Sequence, residues 1–200
     1  IAWYPVPQVH DMTVLLRHLL LITALLSGPL QASGSNWIDG LSLSFGRDSN
    51  DNETSLIRGG LQNRWQHTWF NGGAWYVGGY WDAELAYLES DVGDSENNSL
   101  FDLSLTPVFR MQRDATLSSG VSPFAEAGIG AHLLSDTRLG ERTFSTALQF
   151  GSVLGLGVGF GDNGQYELSY RFQRLSNIGI KQPNDGLDLH MLRIGYLFEQ

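Results

Sequence analysis

Apolar and polar residues alternate with a period of two along most of the chain after residue 33. Between Trp75 and Leu88, for example, Val77 and Leu85 alternate with Asp82 and Glu84. Such alternation is typical of a β-strand with one apolar and one polar face, and no long segment shows the period near 3.6 of a helix. Eight segments share the pattern: Trp37–Arg47, Leu56–Trp69, Trp75–Leu88, Leu100–Gln112, Val121–Leu134, Ala147–Phe160, Tyr166–Ser176 and Asp188–Phe198.

The connections between these segments alternate between long polar stretches and mostly shorter ones. The long connections span residues 48–53, 89–98, 136–146 and 177–187. Each predicted strand has about the 9 to 11 residues that a tilted strand needs to cross a bilayer, or a little more. Long loops at one rim and short turns at the other are typical of outer-membrane barrels. We therefore predict an all-β fold, an eight-stranded antiparallel transmembrane β-barrel of the outer-membrane type.

The polar rows of the predicted strands carry charges of both signs. An eight-stranded barrel has an interior filled by side chains and leaves no channel, so these rows are predicted to face inward. The apolar rows, rich in Trp, Tyr and Phe, would then face lipid. A soluble barrel with the opposite arrangement is disfavoured, because glycines mixed with charges make a poor soluble surface. The predicted interior includes Arg58, Arg64, Asp82, Glu84, Asp102, Arg110, Glu126, Glu167, Arg171 and Gln173.

The N-terminal residues have the order of features found in a secretory signal peptide. A basic stretch at Arg17 and His18 precedes the apolar residues 19–26, and the small residue Ala32 ends the segment. The apolar run is shorter than the roughly 20 residues of a membrane-spanning helix. The pattern predicts a signal peptide over residues 12–32, cleaved after Ala32.

This interpretation divides the chain into three parts. Residues 1–11 precede Met12, the predicted initiator, and are interpreted as translated upstream sequence. Residues 33–200 are predicted to form the mature outer-membrane barrel. An export signal followed by membrane-length strands predicts the cell outer membrane as the location.

Composition and charge exclude several kinds of function. The formal net charge of −9, from 12 basic and 21 acidic residues, argues against a nucleic-acid partner, which requires a basic face. The chain has no cysteine, which excludes disulfides, thiolate zinc sites and a cysteine nucleophile. No motif indicates a metal site, and no cofactor is expected. His132, on a predicted inward row, is expected to have a structural role.

The last two predicted strands gather ionisable side chains on the lipid-facing side. Continuing the alternation places Arg174 and Ser176 on that side of the seventh strand, and Asp188 and His190 on that side of the eighth. All four lie near the end of the barrel predicted to meet the outer leaflet. Ionisable groups are costly at the bilayer midplane but almost free at the interface, so this cluster is predicted to face lipid head groups.

Residues 176–186 read Ser-Asn-x-Gly-x-Lys-Gln-Pro-Asn-Asp-Gly, and an acidic residue follows at position 188. This run resembles the C-terminal signature of the lipid A 3-O-deacylase (PagL) family, and a looser likeness covers the rest of the mature chain. The resemblance implies an outer-membrane barrel of eight strands that removes the ester-linked acyl chain at position 3 of lipid A. Lipid A, or lipopolysaccharide, is then the partner, and the sequence leaves a homodimer open.

The resemblance also implies roles for individual residues. Ser176 matches the nucleophile, and Asn177 and Gly179 match the oxyanion-hole region. Asp188 stands at the position of the family's Glu, and Arg174 stands at the position of its His. An arginine stays protonated and cannot accept the Ser proton, and a Ser hydroxyl without a base is a weak nucleophile.

Three interpretations therefore stay open from the sequence. In the first interpretation, the protein is a family member with little or no activity that keeps a lipopolysaccharide-binding face. Alternatively, His190 replaces the missing base from the neighbouring strand, which would free Arg174 to bind a lipid A phosphate. In the third interpretation, the cluster only solvates the barrel at the membrane interface.

Overall fold

A computed structural model describes residues 37–49, 54–92, 97–114, 120–162 and 164–198. The predicted upstream segment, 1–11, and signal peptide, 12–32, lie outside the described residues. Within the described part of the chain, no helix is long and apolar enough to cross a membrane. The strands are β1 (Gly40–Asp48), β2 (Thr54–Arg64), β3 (Trp75–Ser90), β4 (Ser99–Arg113), β5 (Val121–Leu134), β6 (Arg138–Leu139), β7 (Arg142–Thr143), β8 (Leu148–Phe160), β9 (Tyr166–Ser176) and β10 (Leu187–Leu197).

Eight of these strands close into one barrel in the order β1-β10-β9-β8-β5-β4-β3-β2. Each strand pairs antiparallel with its neighbours, and β1 pairs with β10 to complete the ring. This confirms the predicted fold and strand number. We call the end of the barrel with connections 49–53, 91–98, 135–147 and 177–186 the long-loop rim, and the opposite end the short-turn rim.

The two short strands β6 and β7 were not predicted. They pair with each other inside the connection from β5 to β8, outside the barrel wall. Two-residue strands are too short to show any alternation, so the sequence pattern contains no signal for them. We refer to residues 138–143 as the loop hairpin.

The second barrel strand is shorter than predicted. The alternation continues to Trp69, but β2 ends at Arg64. Trp69 still exchanges two backbone hydrogen bonds with Val77, at 2.7 and 2.8 Å. The ring of Trp65 covers Gly79, where a Cβ atom would come within 2.3 Å of it. The aromatic residues therefore continue the apolar row as a girdle after the regular strand has ended.

The apolar rows face outward, as predicted. On β1, Leu41, Leu43 and Phe45 are 44%, 41% and 48% exposed, whereas the inward Ser44 is 1% exposed. The wall is thus an apolar outer surface of the kind that a bilayer covers.

The polar rows form a buried ion-pair network in the barrel interior. Arg171 lies 2.6 Å from Glu126 and 3.0 Å from Asp82. Arg110 lies 3.0 Å from Glu126 and also pairs with Glu167. These charges are tolerated inside because each is paired and hydrogen-bonded. Arg64, predicted inside, is exposed because it is the last residue of its strand.

A second part of the network lies closer to the long-loop rim. Arg58 lies 3.1 Å from Asp102 and donates to Gln173 at 2.7 Å. His132 Nδ1 lies 2.9 Å from Asp102, and this interior contact agrees with its expected structural role. Gly151 leaves room for the His132 ring, since a Cβ there would come within 2.3 Å of it.

An apolar cluster closes the long-loop rim above the ion pairs. Leu139 of the loop hairpin and Phe144 beside it are 0% and 1% exposed. They share this cluster with inward-facing strand residues Leu56, Ala86, Leu88, Leu100, Leu134, Leu175, Leu187, Leu189 and Met191. The loop hairpin is therefore held against the mouth of the barrel by buried apolar area.

Candidate active site on the outer wall

The four residues singled out on the last two strands lie on the outer wall near the long-loop rim. Arg174 and His190 are exposed, and Ser176 and Asp188 are half-buried. The register of β9 and β10 places Asp188 directly opposite Arg174, and His190 directly opposite Phe172. The alternation thus predicted the correct face for each residue, because the side-chain period of a strand is two.

Arg174 and Asp188 form an ion pair across the two strands. Arg174 Nη1 lies 2.9 Å from Oδ1 and 2.7 Å from Oδ2 of Asp188. The Arg174 side chain is 56% exposed and that of Asp188 is 17% exposed. A pair so open to its surroundings contributes little to stability. It does hold the Asp188 carboxylate on the guanidinium through both of its oxygens.

Ser176 ends β9 and begins the loop to β10. Its Oγ accepts a hydrogen bond from the Ile178 N–H at 3.3 Å. Ile178 and Gly179 have φ angles of +54° and +78°. A left-handed conformation is uncommon for a β-branched residue and costs about 1–3 kcal/mol. The contacts of the surrounding loop must hold Ile178 in this conformation next to the Ser176 hydroxyl.

Asn177 supplies most of those contacts from a fully buried position. Its Nδ2 donates to the carbonyl oxygens of Phe144 at 3.0 Å and Lys181 at 2.8 Å. Its Oδ1 accepts from the Gly179 N–H at 2.9 Å, and its own N–H donates to Asn184 Oδ1 at 3.3 Å. The backbone N–H groups of Asn177 and Gly179, the two residues expected in the oxyanion-hole region, thus both donate within the loop in this structure.

His190 lies apart from Ser176. It is hydrogen-bonded through Nδ1 to the Tyr170 hydroxyl, and its ring centroid is 5.3 Å from that of Phe172. Phe172 and Ser176 are four residues apart along β9, which corresponds to about 13 Å at the usual rise of a strand. The structure therefore places Arg174 with Asp188, but leaves His190 beyond the reach of the Ser176 hydroxyl.

The loop hairpin holds the loop between β9 and β10 from above. Arg142 donates to the Gly186 carbonyl at 3.2 Å and forms an ion pair with Asp48 of β1. The Thr143 N–H donates to Asp185 Oδ2 at 2.7 Å. The sequence contains no local signal for this support, because Arg142 and Asp48 are far apart in the chain and neither belongs to a recognisable motif.

An apolar groove of about 540 Å³ runs along the outer wall, and its lining residue Phe172 is four residues from Ser176 along β9. The small side chains of Ala125 and Ala127 on β5 form its floor, between Met111 of β4 and Leu156 of β8. Tyr170 and Phe172 also line it, on the strand that carries Arg174 and Ser176. The groove could accommodate a hydrocarbon chain whose polar end lies near the long-loop rim.

Among the described residues, no group of three or more His, Cys, Asp or Glu side chains is arranged to hold a metal ion. The side chains that the structure places at this site are a hydroxyl, a carboxylate and a guanidinium, all at the level of the membrane interface.

A closed barrel with an apolar outer wall and a polar cluster at one rim defines a transmembrane β-barrel with a site that faces lipid. The chain belongs to the lipid A 3-O-deacylase (PagL) family, whose model matches residues 57–197. The protein is thus an outer-membrane protein, and the resemblance noted in residues 176–188 is confirmed.

Individual relatives support this assignment. The chain is 36% identical over 133 residues to the lipid A deacylase PagL of Pseudomonas aeruginosa, a match that covers 66% of this chain and 72% of that protein. It is 34% identical over 106 residues to the lipid A deacylase PagL of Bordetella bronchiseptica, covering 53% of this chain and 55% of that protein. A crystal structure of the outer-membrane enzyme PagL superposes with a TM-score of 0.71 at 31% identity, covering 80% of this chain and 99% of that one.

Proposed function

We propose that the protein hydrolyses the ester-linked acyl chain at position 3 of lipid A, with Ser176 as the nucleophile. The position of the Ser176 hydroxyl carries this proposal: it lies on the outer wall, at the long-loop rim. Lipid A is located in the outer leaflet, so its ester groups lie just below the head-group level that this rim occupies. The groove along Ala125 and Ala127 is suited to the acyl chain.

The reaction follows from the groups at the site. Ser176 Oγ attacks the ester carbonyl carbon, and the sugar oxygen takes up the proton released by Ser176 and leaves as a hydroxyl group. Water then hydrolyses the acyl-enzyme, which releases the fatty acid and restores the Ser176 hydroxyl. The Ser proton has to pass to a base. Asp188 is the carboxylate nearest to Ser176 by register, because it lies diagonally across the strand pair. To accept the Ser proton, it must first release Arg174. His190 would have to leave Tyr170 and approach over about 13 Å along the strand direction.

A second candidate function is the binding of lipid A without hydrolysis. The Arg174–Asp188 ion pair favours it, because a protonated guanidinium occupies the position where a proton acceptor is needed. In this case the barrel retains the lipid-facing surface of its family, and Ser176 takes no part in a reaction.

The lipid A of cells that express the protein separates the two candidates. The cells should carry 3-O-acylated lipid A and lack any other lipid A deacylase. We expect mass spectra to show the loss of one hydroxyacyl chain with the native protein, and no loss with Ser176→Ala. An unchanged spectrum with the native protein, correctly inserted in the outer membrane, would refute hydrolysis and leave binding as the function.

A further inference from the structure

Arg47 is an exposed arginine on the apolar outer wall, next to the last residue of β1. It continues the outward row of Leu41, Leu43 and Phe45. Among the residues that the structure describes, it has neither an ion-pair partner nor a hydrogen-bond acceptor for its side chain. An arginine on the lipid-facing side of a barrel is tolerated close to the interface, where anionic head groups lie.

His190 is the direct cross-strand neighbour of Arg47 on β10. Side chains in such pairs have Cβ atoms about 4.5–5.5 Å apart, so the Arg47 and His190 side chains start from neighbouring positions on the outer wall. His190 Nδ1 is hydrogen-bonded to the Tyr170 hydroxyl, which leaves Nε2 available to a ligand. Two neighbouring residues therefore present polar nitrogen atoms to the same part of the outer wall.

Among the described residues, the two carboxylates nearest to this position are already engaged. Asp188, on the same face of β10, is bound to Arg174 through both of its oxygens. Asp48, next to Arg47 in the chain, is buried and pairs with Arg142. In the described part of the chain no carboxylate pairs with Arg47, so an anionic lipid head group at this level can bind there.

We propose that Arg47 and His190 form a binding site for a phosphate group of lipid A. Arginine is suited to this ligand because its planar fork donates two parallel hydrogen bonds to phosphate oxygens. Arg47 lies two strands from β9, in register with His190 and Phe172, and Ser176 is four residues further along β9. The two residues are therefore roughly 16 Å apart along the outer wall. The disaccharide of one lipid A head group, together with the extended Arg47 side chain, can span this distance with an ester near Ser176 and a phosphate at Arg47.

This inference goes beyond hydrolysis and depends only on lipid A being the ligand. Binding is therefore measured in the Ser176→Ala background, in which the proposed reaction cannot occur. The barrel, in maltoside micelles that contain no phosphate, is titrated with lipid A and with chemically dephosphorylated lipid A. The change in tryptophan emission reports the affinity for each lipid.

We expect phosphorylated lipid A to bind more tightly, and Arg47→Gln to reduce that preference by about 10-fold or more. His190→Phe, which keeps an aromatic ring against Tyr170 and Phe172, should also reduce it. Arg64→Gln is the matched control, since it removes the same charge from an exposed position at the short-turn rim and should leave the preference unchanged.

Two outcomes would overturn the proposal. In the first, Arg47→Gln retains the full preference for phosphorylated lipid A while far-UV circular dichroism shows a folded barrel. In the second, inorganic phosphate displaces lipid A at an equal concentration, which would make the site one for free phosphate. If binding depends on Arg47 but cells show no deacylation, the phosphate site stands and the proposed hydrolysis fails.

Discussion

At the scale of single residues, Arg174 controls the chemistry available to Ser176. Its guanidinium lies directly across the strand pair from Asp188 and binds both carboxylate oxygens. A neutral imidazole at this position could accept the Ser proton and transfer its positive charge towards Asp188. The arginine can stabilise Asp188 but cannot accept a proton, so its presence lowers the expected rate of ester hydrolysis.

Replacing Arg174 with histidine should therefore increase the rate of deacylation. A well-placed general base contributes about 10²- to 10⁴-fold, and Asp188 is already positioned to orient the ring. The measurement is the release of hydroxy fatty acid from lipid A in detergent micelles. Arg174→Lys is the matched control, because it keeps the positive charge without supplying a base at neutral pH. Equal rates for the two variants would show that the missing base does not limit the reaction.

At the scale of structural elements, the loop hairpin positions the end of β9. Arg142 links the barrel wall at Asp48 to the Gly186 carbonyl, and Phe144 accepts a hydrogen bond from buried Asn177. These contacts keep Ile178 in its left-handed conformation beside Ser176. The orientation of the Ser176 hydroxyl therefore depends on a segment more than thirty residues away in the chain.

We expect Arg142→Ala to loosen the loop between β9 and β10. Loss of a charge-assisted hydrogen bond and of the Asp48 pair should lower the local opening free energy by about 1–3 kcal/mol. Faster amide hydrogen exchange over residues 178–186 would report this change. Glu141→Ala alters the exposed neighbouring position in the same hairpin and should leave exchange unchanged. Similar exchange in both variants would mean that the hairpin does not support the loop.

At the scale of the whole molecule, the ion-pair network fills the barrel. Among the described residues, this network consists of four buried arginines and five buried carboxylates: Arg58, Arg110, Arg171 and Arg193 with Asp82, Glu84, Asp102, Glu126 and Glu167. Each arginine contacts at least one of these carboxylates. Since the partners come from different strands, the network connects opposite sides of the wall.

Removing one central member of the network should destabilise the barrel strongly. Glu126 contacts Arg110, Arg171 and the Tyr80 hydroxyl, so Glu126→Leu leaves two buried guanidinium groups without a shared anion. The free energy of unfolding should fall by about 3–5 kcal/mol, measured by urea titration in micelles. The neighbouring Ala125→Leu points outward into lipid and should change it little. Equal stability of the two variants would refute a structural role for the network.

Much of this architecture could be predicted from the sequence, because a period of two assigns each side chain to one face of a strand. The predicted interior agrees with the structure except at Arg64, where the strand ends. The outward positions of Arg174, Ser176, Asp188 and His190 follow from the same rule. The predicted extent of β2 was wrong, since the aromatic girdle around Trp65 continues the alternation beyond Arg64, the last residue of β2 that pairs regularly with β3.

The sequence by itself determined the fold class, the strand faces and, through residues 176–188, the family. Only the tertiary structure decided which outward residues meet: Arg174 with Asp188, His190 with Tyr170, and Arg47 beside His190. The physical reason is that alternation specifies a face but not a register. A shift of two residues preserves every face and changes every cross-strand partner. The support of Ser176 by Asn177 and the loop hairpin likewise depends on contacts between distant segments, which local patterns do not encode.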